Sequence, residues 1–190
     1  MWAVREHGGK VSSLARTRVH VTQWEGEGDK CTSTTHTRRH NMLRDEICRV
    51  CMSFGISAVK EPTCYAYEEG RKRPDILFAT FRTIATDVTI VKPHEKPGDA
   101  AKEADEKKRK EHRAAVERHQ HVFIPGACEA YGLIGPSMVK LVTELANDLP
   151  NSTRFIFRRT IMNAIASILA RSRASGIYGT RYRRDYIMPH

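Results

Sequence analysis

Two aspartates, Asp75 and Asp87, stand in neighbouring stretches rich in Ile, Val, Thr and Phe, and a lysine-rich segment follows them. Carboxylates presented by adjacent strands are hard oxygen donors that hold a divalent cation such as Mg²⁺ or Mn²⁺ against a phosphate. A lysine nearby then offsets the charge that develops as a phosphodiester is hydrolysed. The plainer alternative is that Asp75 caps a strand after Pro74 and Asp87 is an exposed edge charge. Against it stand the apolar flanks of Asp87, because a carboxylate inside a sheet costs desolvation unless it is paired.

Strand alternation sorts the neighbours of Asp87. Asp87, Thr89 and Val91 point to one face, and Val88, Ile90 and Lys92 to the other. Lys92 is therefore excluded as the partner of Asp87, and Thr89 occupies the place where a lysine would have been ideal. The basic partner must come from the following helix, which offers Lys107, Lys108 and Lys110. A hairpin turning near Phe81 and Arg82 puts Asp75 roughly opposite Asp87, although its register is not set by the sequence. Asp45 or Glu46, on an earlier helix, offers a third carboxylate.

The elements that must position these groups follow from periodicity. Leu43, Ile47, Val50, Cys51 and Phe54 recur at helical spacing, which predicts an amphipathic helix over 41–53 ended by Gly55. A first strand is expected over 56–59, a hairpin over 75–80 and 83–91, and a charged helix over 99–120. A short strand over 121–125 follows. A helical stripe runs through Met138, Leu141, Val142, Leu145 and Leu149 behind Pro136. Asn151 and Ser152 separate it from a last helix over 154–171. The predicted class is α/β with a mixed sheet: a core in the order αβββαβ, then two C-terminal helices. Residues 1–39 read as a poorly ordered N-terminal segment with a short strand at 19–21, residues 40–172 as the domain, and 173–190 as a loose basic tail.

Composition narrows the class. The chain has 190 residues, 32 Lys plus Arg against 22 Asp plus Glu, and a net charge of +10. One domain with a real core is expected at this length. Such an excess of positive charge favours a polyanion, nucleic acid above all, through counterion release. No apolar run reaches the ~18 residues that span a bilayer. Five cysteines, an odd number without a framework, fit a reducing compartment, and an intracellular setting is expected.

Other motifs read more plainly. Cys48 and Cys51 form a CxxC that, with Cys31, His36 and His40, offers a zinc site, but Cys51 lies on the buried helical stripe and core packing is the preferred reading. The pairs Glu103/Lys107 and Glu106/Lys110 are spaced to satisfy one another on a solvated helix face. Arg158, Arg159, Arg171, Arg173, Arg181, Arg183 and Arg184, interleaved with Tyr178, Tyr182 and Tyr186, suit phosphate tracking and base stacking. Glu129 is assigned to holding the turn at Tyr131 and Gly132. His119 and His121 mark the passage from helix to strand.

In order, Pro74-Asp75, then Asp87-Val88-Thr89 after 11 intervening residues, then the lysine-rich helix resembles the PD-(D/E)xK restriction-endonuclease-like superfamily. With Arg39-His40-Asn41, Arg44-Asp45, Phe123-Ile124-Pro125, Glu129-Ala130-Tyr131-Gly132 and Asn163-Ala164, the series is similar to the segment that follows reverse transcriptase in some eukaryotic retroelements. The resemblance covers residues 28–171. It implies metal ligation by Asp75, Asp87 and the Val88 carbonyl, with Asp45 as an outer acid. It also implies Lys108 as the catalytic lysine, Mg²⁺ or Mn²⁺ as cofactor, DNA as substrate and a nuclear setting. Arg44, Lys107, Lys110, Arg158 and Arg159 are the expected nucleic-acid contacts. A reverse transcriptase or element RNA is the associated partner. His112 departs from the tyrosine frequent at this place, and Lys107 or Lys110 remain alternatives to Lys108. Two functions follow: a metal-dependent DNA endonuclease, or a nucleic-acid-binding module that kept the fold and lost turnover.

Overall fold

The structure, a computed structural model, describes the backbone of residues 33–65 and 73–184. The strand expected at 19–21, Cys31 and Tyr67 lie outside the described residues. The elements run α1 (Ser33–Ser53), β1 (Ser57–Lys60), β2 (Ile76–Ala79), β3 (Ile84–Thr86), β4 (Val88–Val91), α2 (Asp99–Glu117), β5 (Val122–Phe123), β6 (Gly126–Glu129), α3 (Pro136–Asn147) and α4 (Asn151–Arg184). This is the expected mixed α/β architecture, with four helices around small mixed sheets.

β1 pairs with β2 and β2 with β3, both antiparallel, while β3 pairs with β5 and β4 with β6 in parallel. The strand expected over 83–91 is interrupted at Asp87, and the one expected over 121–125 becomes two strands reaching Glu129. The pairing itself is unbroken, because Ile124 donates to the Ala85 carbonyl at 3.0 Å and Gly126 to the Asp87 carbonyl at 2.9 Å. Pro125 is tolerated between them since its missing N–H would point to the unpaired edge. What ends is β2. Past Asp75 no third strand accompanies β4 among the described residues, and the sheet divides there.

Side chains alternate without a slip across the break. Ile84, Val88 and Ile90 join the large core with Leu43, Ile47, Val50 and Cys51 of α1, Met138, Leu141 and Leu145 of α3, and Phe157, Ile161 and Ile165 of α4. Ala85 faces the other way, packing with Tyr65, Val116 and Phe123. Three helices thus cover one face of the strands, and α2 covers the opposite one.

α1 begins at Ser33 rather than at residue 41, so its first turns occupy part of the segment expected to lack order. The apolar stripe continues backward from Leu43 as His40 and His36, three and then four residues apart along one helix face. Hydropathy does not register them because their rings are satisfied by polar partners. α4 likewise runs to Arg184, through the stretch expected to be loose, and Asn151 and Ser152 form its first turn instead of a separator. No proline interrupts it, and each added residue contributes a helical hydrogen bond.

α3 seats against β6 through Gly135, where an added Cβ would lie 2.5 Å from the Ala127 carbonyl oxygen. α2 begins at Gly98, whose φ of +91° suits glycine. The Gly98 N–H donates to the buried Glu129 carboxylate at 2.8 Å. The Glu129 side chain therefore holds the start of α2, where a negative charge complements the helix dipole. Its backbone carbonyl meets Gly132 N–H at 2.9 Å in the turn assigned to it.

Candidate active site

The register of β2 and β3 pairs Ile76 with Thr86. Continued by one residue, it places Asp75 opposite Asp87, with the hairpin centred on Phe81. Asp75 N–H donates to the Thr86 carbonyl at 3.0 Å, which carries the ladder to that point. The Asp75 carboxylate then takes over where β2 stops. Its Oδ2 accepts the Val88 N–H at 2.7 Å, and Oδ1 lies 3.1 Å from His40 Nε2. The hydrogen bond to Asp75, with the charges of Asp75 and Asp87, raises the His40 imidazole above its ordinary value despite burial. His40 thus stands within the field of both aspartates.

Asp87, only 4% exposed, faces α2. Lys108 Nζ lies 3.0 Å from its Oδ1, and His112 Nε2 lies 3.0 Å from its Oδ2. The His112 contact is close but off the line of a hydrogen bond, and His112 Nδ1 is buried without a partner. Burial pushes the Asp87 carboxyl up, yet His112 and Lys108 outweigh it and hold the group below its usual range. Burial lowers Lys108 in turn, and Asp87 and Glu111 more than offset this, so Lys108 is raised and stays an ammonium.

Val88 sits between the two acids. Asp87 and Val91 turn their carbonyls toward β6, accepting from Gly126 and Ala130. Backbone groups of the alternate residues Val88 and Ile90 face the other edge. There Val88 N–H meets Asp75, and the Ile90 carbonyl lies 3.2 Å from His36 Nε2. By the same alternation the Val88 carbonyl faces the edge that carries Asp75.

The structure therefore brings together Asp75, Asp87, Val88 and Lys108 from the sequence expectation. Asp45 is elsewhere. It lies 140° around α1 from His40 at 100° per residue, is 47% exposed, and pairs with Arg44 at 3.1 Å and Lys60 at 3.3 Å. Arg44 is also held by Glu61 at 2.5 Å. Lys107 and Lys110 line a cleft beside Lys108. Arg158 and Arg159 are exposed on α4, with no contact to either aspartate among the described residues.

Two members of the site, His40 and His112, and one residue that positions α2, Asp105, were missed. The first two had a signal in the sequence, since His40 extends the α1 stripe and His112 lies one turn from Lys108. Asp105 had none. Its carboxylate is buried, accepts Ala127 N–H at 3.2 Å, and is raised by that burial. It fastens α2 to β6 and lies away from Asp75. Cys48 and Cys51 are buried in the core, which pushes their thiols to about 11 and about 12. His121 Nδ1 meets the Tyr65 hydroxyl at 2.9 Å.

Among the described residues no three His, Cys, Asp or Glu side chains converge as a metal cage. The strand register does set Asp75 across from Asp87, with the Val88 N–H on the Asp75 carboxylate. Such carboxylates suit Mg²⁺ or Mn²⁺, which bind through one or two of them and complete their shell with water and substrate phosphate. A carboxylate oxygen has two lone pairs, so one that accepts a single bond within the chain keeps another. No protein-family model matches this sequence, and no curated protein sequence matches it.

Proposed function

We propose that this chain is a metal-dependent DNA endonuclease domain of retroelement origin, built on a PD-(D/E)xK-type core. The observation that carries the reading is the position of Asp75 and Asp87 immediately beyond the last β2–β3 pair, Ile76 and Thr86, with the Lys108 ammonium on Asp87. Asp75, Asp87 and the Val88 carbonyl are the groups that would hold the cation. When bound there, Mg²⁺ or Mn²⁺ supplies a Lewis acid that polarises a phosphoryl oxygen and acidifies water.

The chain's own residues divide the remaining work. Asp87 stays ionised because Lys108 and His112 flank it. Lys108, held protonated, donates to phosphoryl oxygens and offsets their developing charge, and it does not act as a base at neutral pH. His40 orients Asp75 by holding one of its oxygens. Reverse transcriptase or element RNA as partner, and the nucleus as setting, belong to the same proposal. Among the described residues no helix is long and apolar enough to cross a membrane.

A second reading, a nucleic-acid-binding module without turnover, is favoured by one observation. Both oxygens of Asp87 are already engaged within the chain. Nicking of supercoiled plasmid with Mg²⁺ or Mn²⁺ separates the two. Wild type is expected to nick, and Asp87→Asn to lose at least about a hundredfold, the scale of removing one electrostatic group from a transition state. Equal activity in both proteins would move the site elsewhere. Absence of nicking with salt-sensitive DNA binding intact would establish the module without turnover.

A further inference from the structure

We infer that the cleft between α2 and β4 holds the backbone of one nucleic-acid strand on a single side of the scissile phosphate; this rests on the site reading above. α2 meets the strands unevenly along its length. Its C-terminal half is packed shut, with His112, Ala115 and Val116 buried. There Val116 joins Ala85 and Phe123, and the His112 ring lies 5.4 Å from Phe123. Its middle stands off β4 instead, leaving an open cleft of about 530 Å³ between Thr89 and Val91 below and Lys107, Lys108, Lys110 and Glu111 above. Asp87 sits where the closed and open parts meet. A strand bound at Asp87 is blocked toward β3 and β5 and free to run along β4.

Charge and length suit a phosphodiester backbone. Lys108 is shared between Asp87 and Glu111, at 3.0 and 3.4 Å. Among the described residues no carboxylate pairs with Lys107 or Lys110. The pairs Glu103/Lys107 and Glu106/Lys110 do not form among the described residues, and Glu103 approaches His94 at 3.8 Å instead. Two lysines without an acidic partner among the described residues therefore border the cleft beyond the site. From Asp87 to Val91 the floor extends ~13 Å, a few times the ~3.4 Å axial rise per phosphate of one strand. The Thr89 side chain lies on that floor, facing α2.

The test is metal-free binding of a labelled oligothymidylate to the full chain, by fluorescence anisotropy across a salt series. Lys107→Gln/Lys110→Gln is expected to weaken binding by at least about tenfold and to reduce the salt slope by about 1.4, two contacts at ~0.7 each. Lys102→Gln/Arg118→Gln, the same charge loss on the same helix away from the cleft, is expected to change binding less than about twofold. Lys107→Arg/Lys110→Arg is expected to retain it. Equal losses in the two glutamine pairs, or no binding by wild type, would overturn the inference.

The single-sidedness is read from cleavage of strands with one neutral methylphosphonate beside the scissile linkage. Neutralisation on one side is expected to slow wild type, and that sensitivity to vanish in Lys107→Gln/Lys110→Gln. Equal sensitivity on both sides would overturn it. If the cleft binds as expected while nothing is cleaved, the endonuclease reading fails and the cleft stands. If cleavage proceeds and the lysine pair is indifferent, the cleft fails and the endonuclease stands.

Discussion

At the residue scale, the two aspartates are held by different means. Asp87 is buried and relies on Lys108 and His112, whereas Asp75 sits at a strand end and satisfies its oxygens with Val88 N–H and His40. The His40 contact has a signed pH dependence. Its raised value means that the protonated ring gains from Asp75. That gain is complete below the ordinary 6.5 and fades as pH rises through the folded-state value. His40→Ala should therefore lower stability by about 1–2 kcal/mol near pH 5.5 and by less near pH 8. Urea denaturation with a chelator present measures both. A cost that grows toward alkaline pH would contradict the pairing. Asp87 has the opposite sign, its contribution being present above the ordinary carboxylate value and lost as pH falls through the lowered one.

At the element scale, the site exists because one strand ends early. β2 stops at Asp75, the ladder passes to an aspartate side chain, and β3 continues as β4 with no further strand on that edge among the described residues. α2 then places Lys108 and His112, four residues apart, on the same face above Asp87. What fixes the position of α2 lies outside that pair: Glu129 holds its start, and Asp105 fastens its middle to Ala127. Asp105→Ala would leave the buried Ala127 N–H without an acceptor and is expected to cost about 1–3 kcal/mol. Asp105→Asn keeps the acceptor and removes a carboxyl that burial disfavours, so its cost near pH 7 should be markedly smaller. Denaturation midpoints of the two variants decide it. Equal losses would mean that the charge, acting with Arg109, is what holds the helix.

At the scale of the whole molecule, α4 matters to the chemistry without approaching it. Phe157 is fully buried and meets Phe54 edge-on, with ring centroids 5.3 Å apart, seating α4 against the end of α1. α1 in turn carries His36 and His40 to that edge of β4 which faces away from β6. Phe157→Ala is expected to cost about 3–5 kcal/mol, a large share of an ordinary folding free energy of ~5–15 kcal/mol. Nicking should fall in parallel with the folded fraction measured by circular dichroism. Full activity at an unchanged denaturation midpoint would exclude that coupling.

Much of this was legible in the residues themselves. Strand alternation assigned Asp87, Thr89 and Val91 to one face, and helical stripes located the apolar faces of α1, α3 and α4, because both depend only on local backbone period. The same logic failed where polar partners replaced apolar ones, at His36 and His40, and where composition suggested disorder in a chain that continues as helix to Arg184. The sequence alone determined which side chains share a face. Only the tertiary structure decided that the sheet divides past Asp75, that Lys108 rather than Lys107 or Lys110 meets Asp87, and that Asp45 turns away to Arg44 and Lys60. Those outcomes depend on where one element stops and how another is tilted across it, and neither is encoded in the period of a single segment.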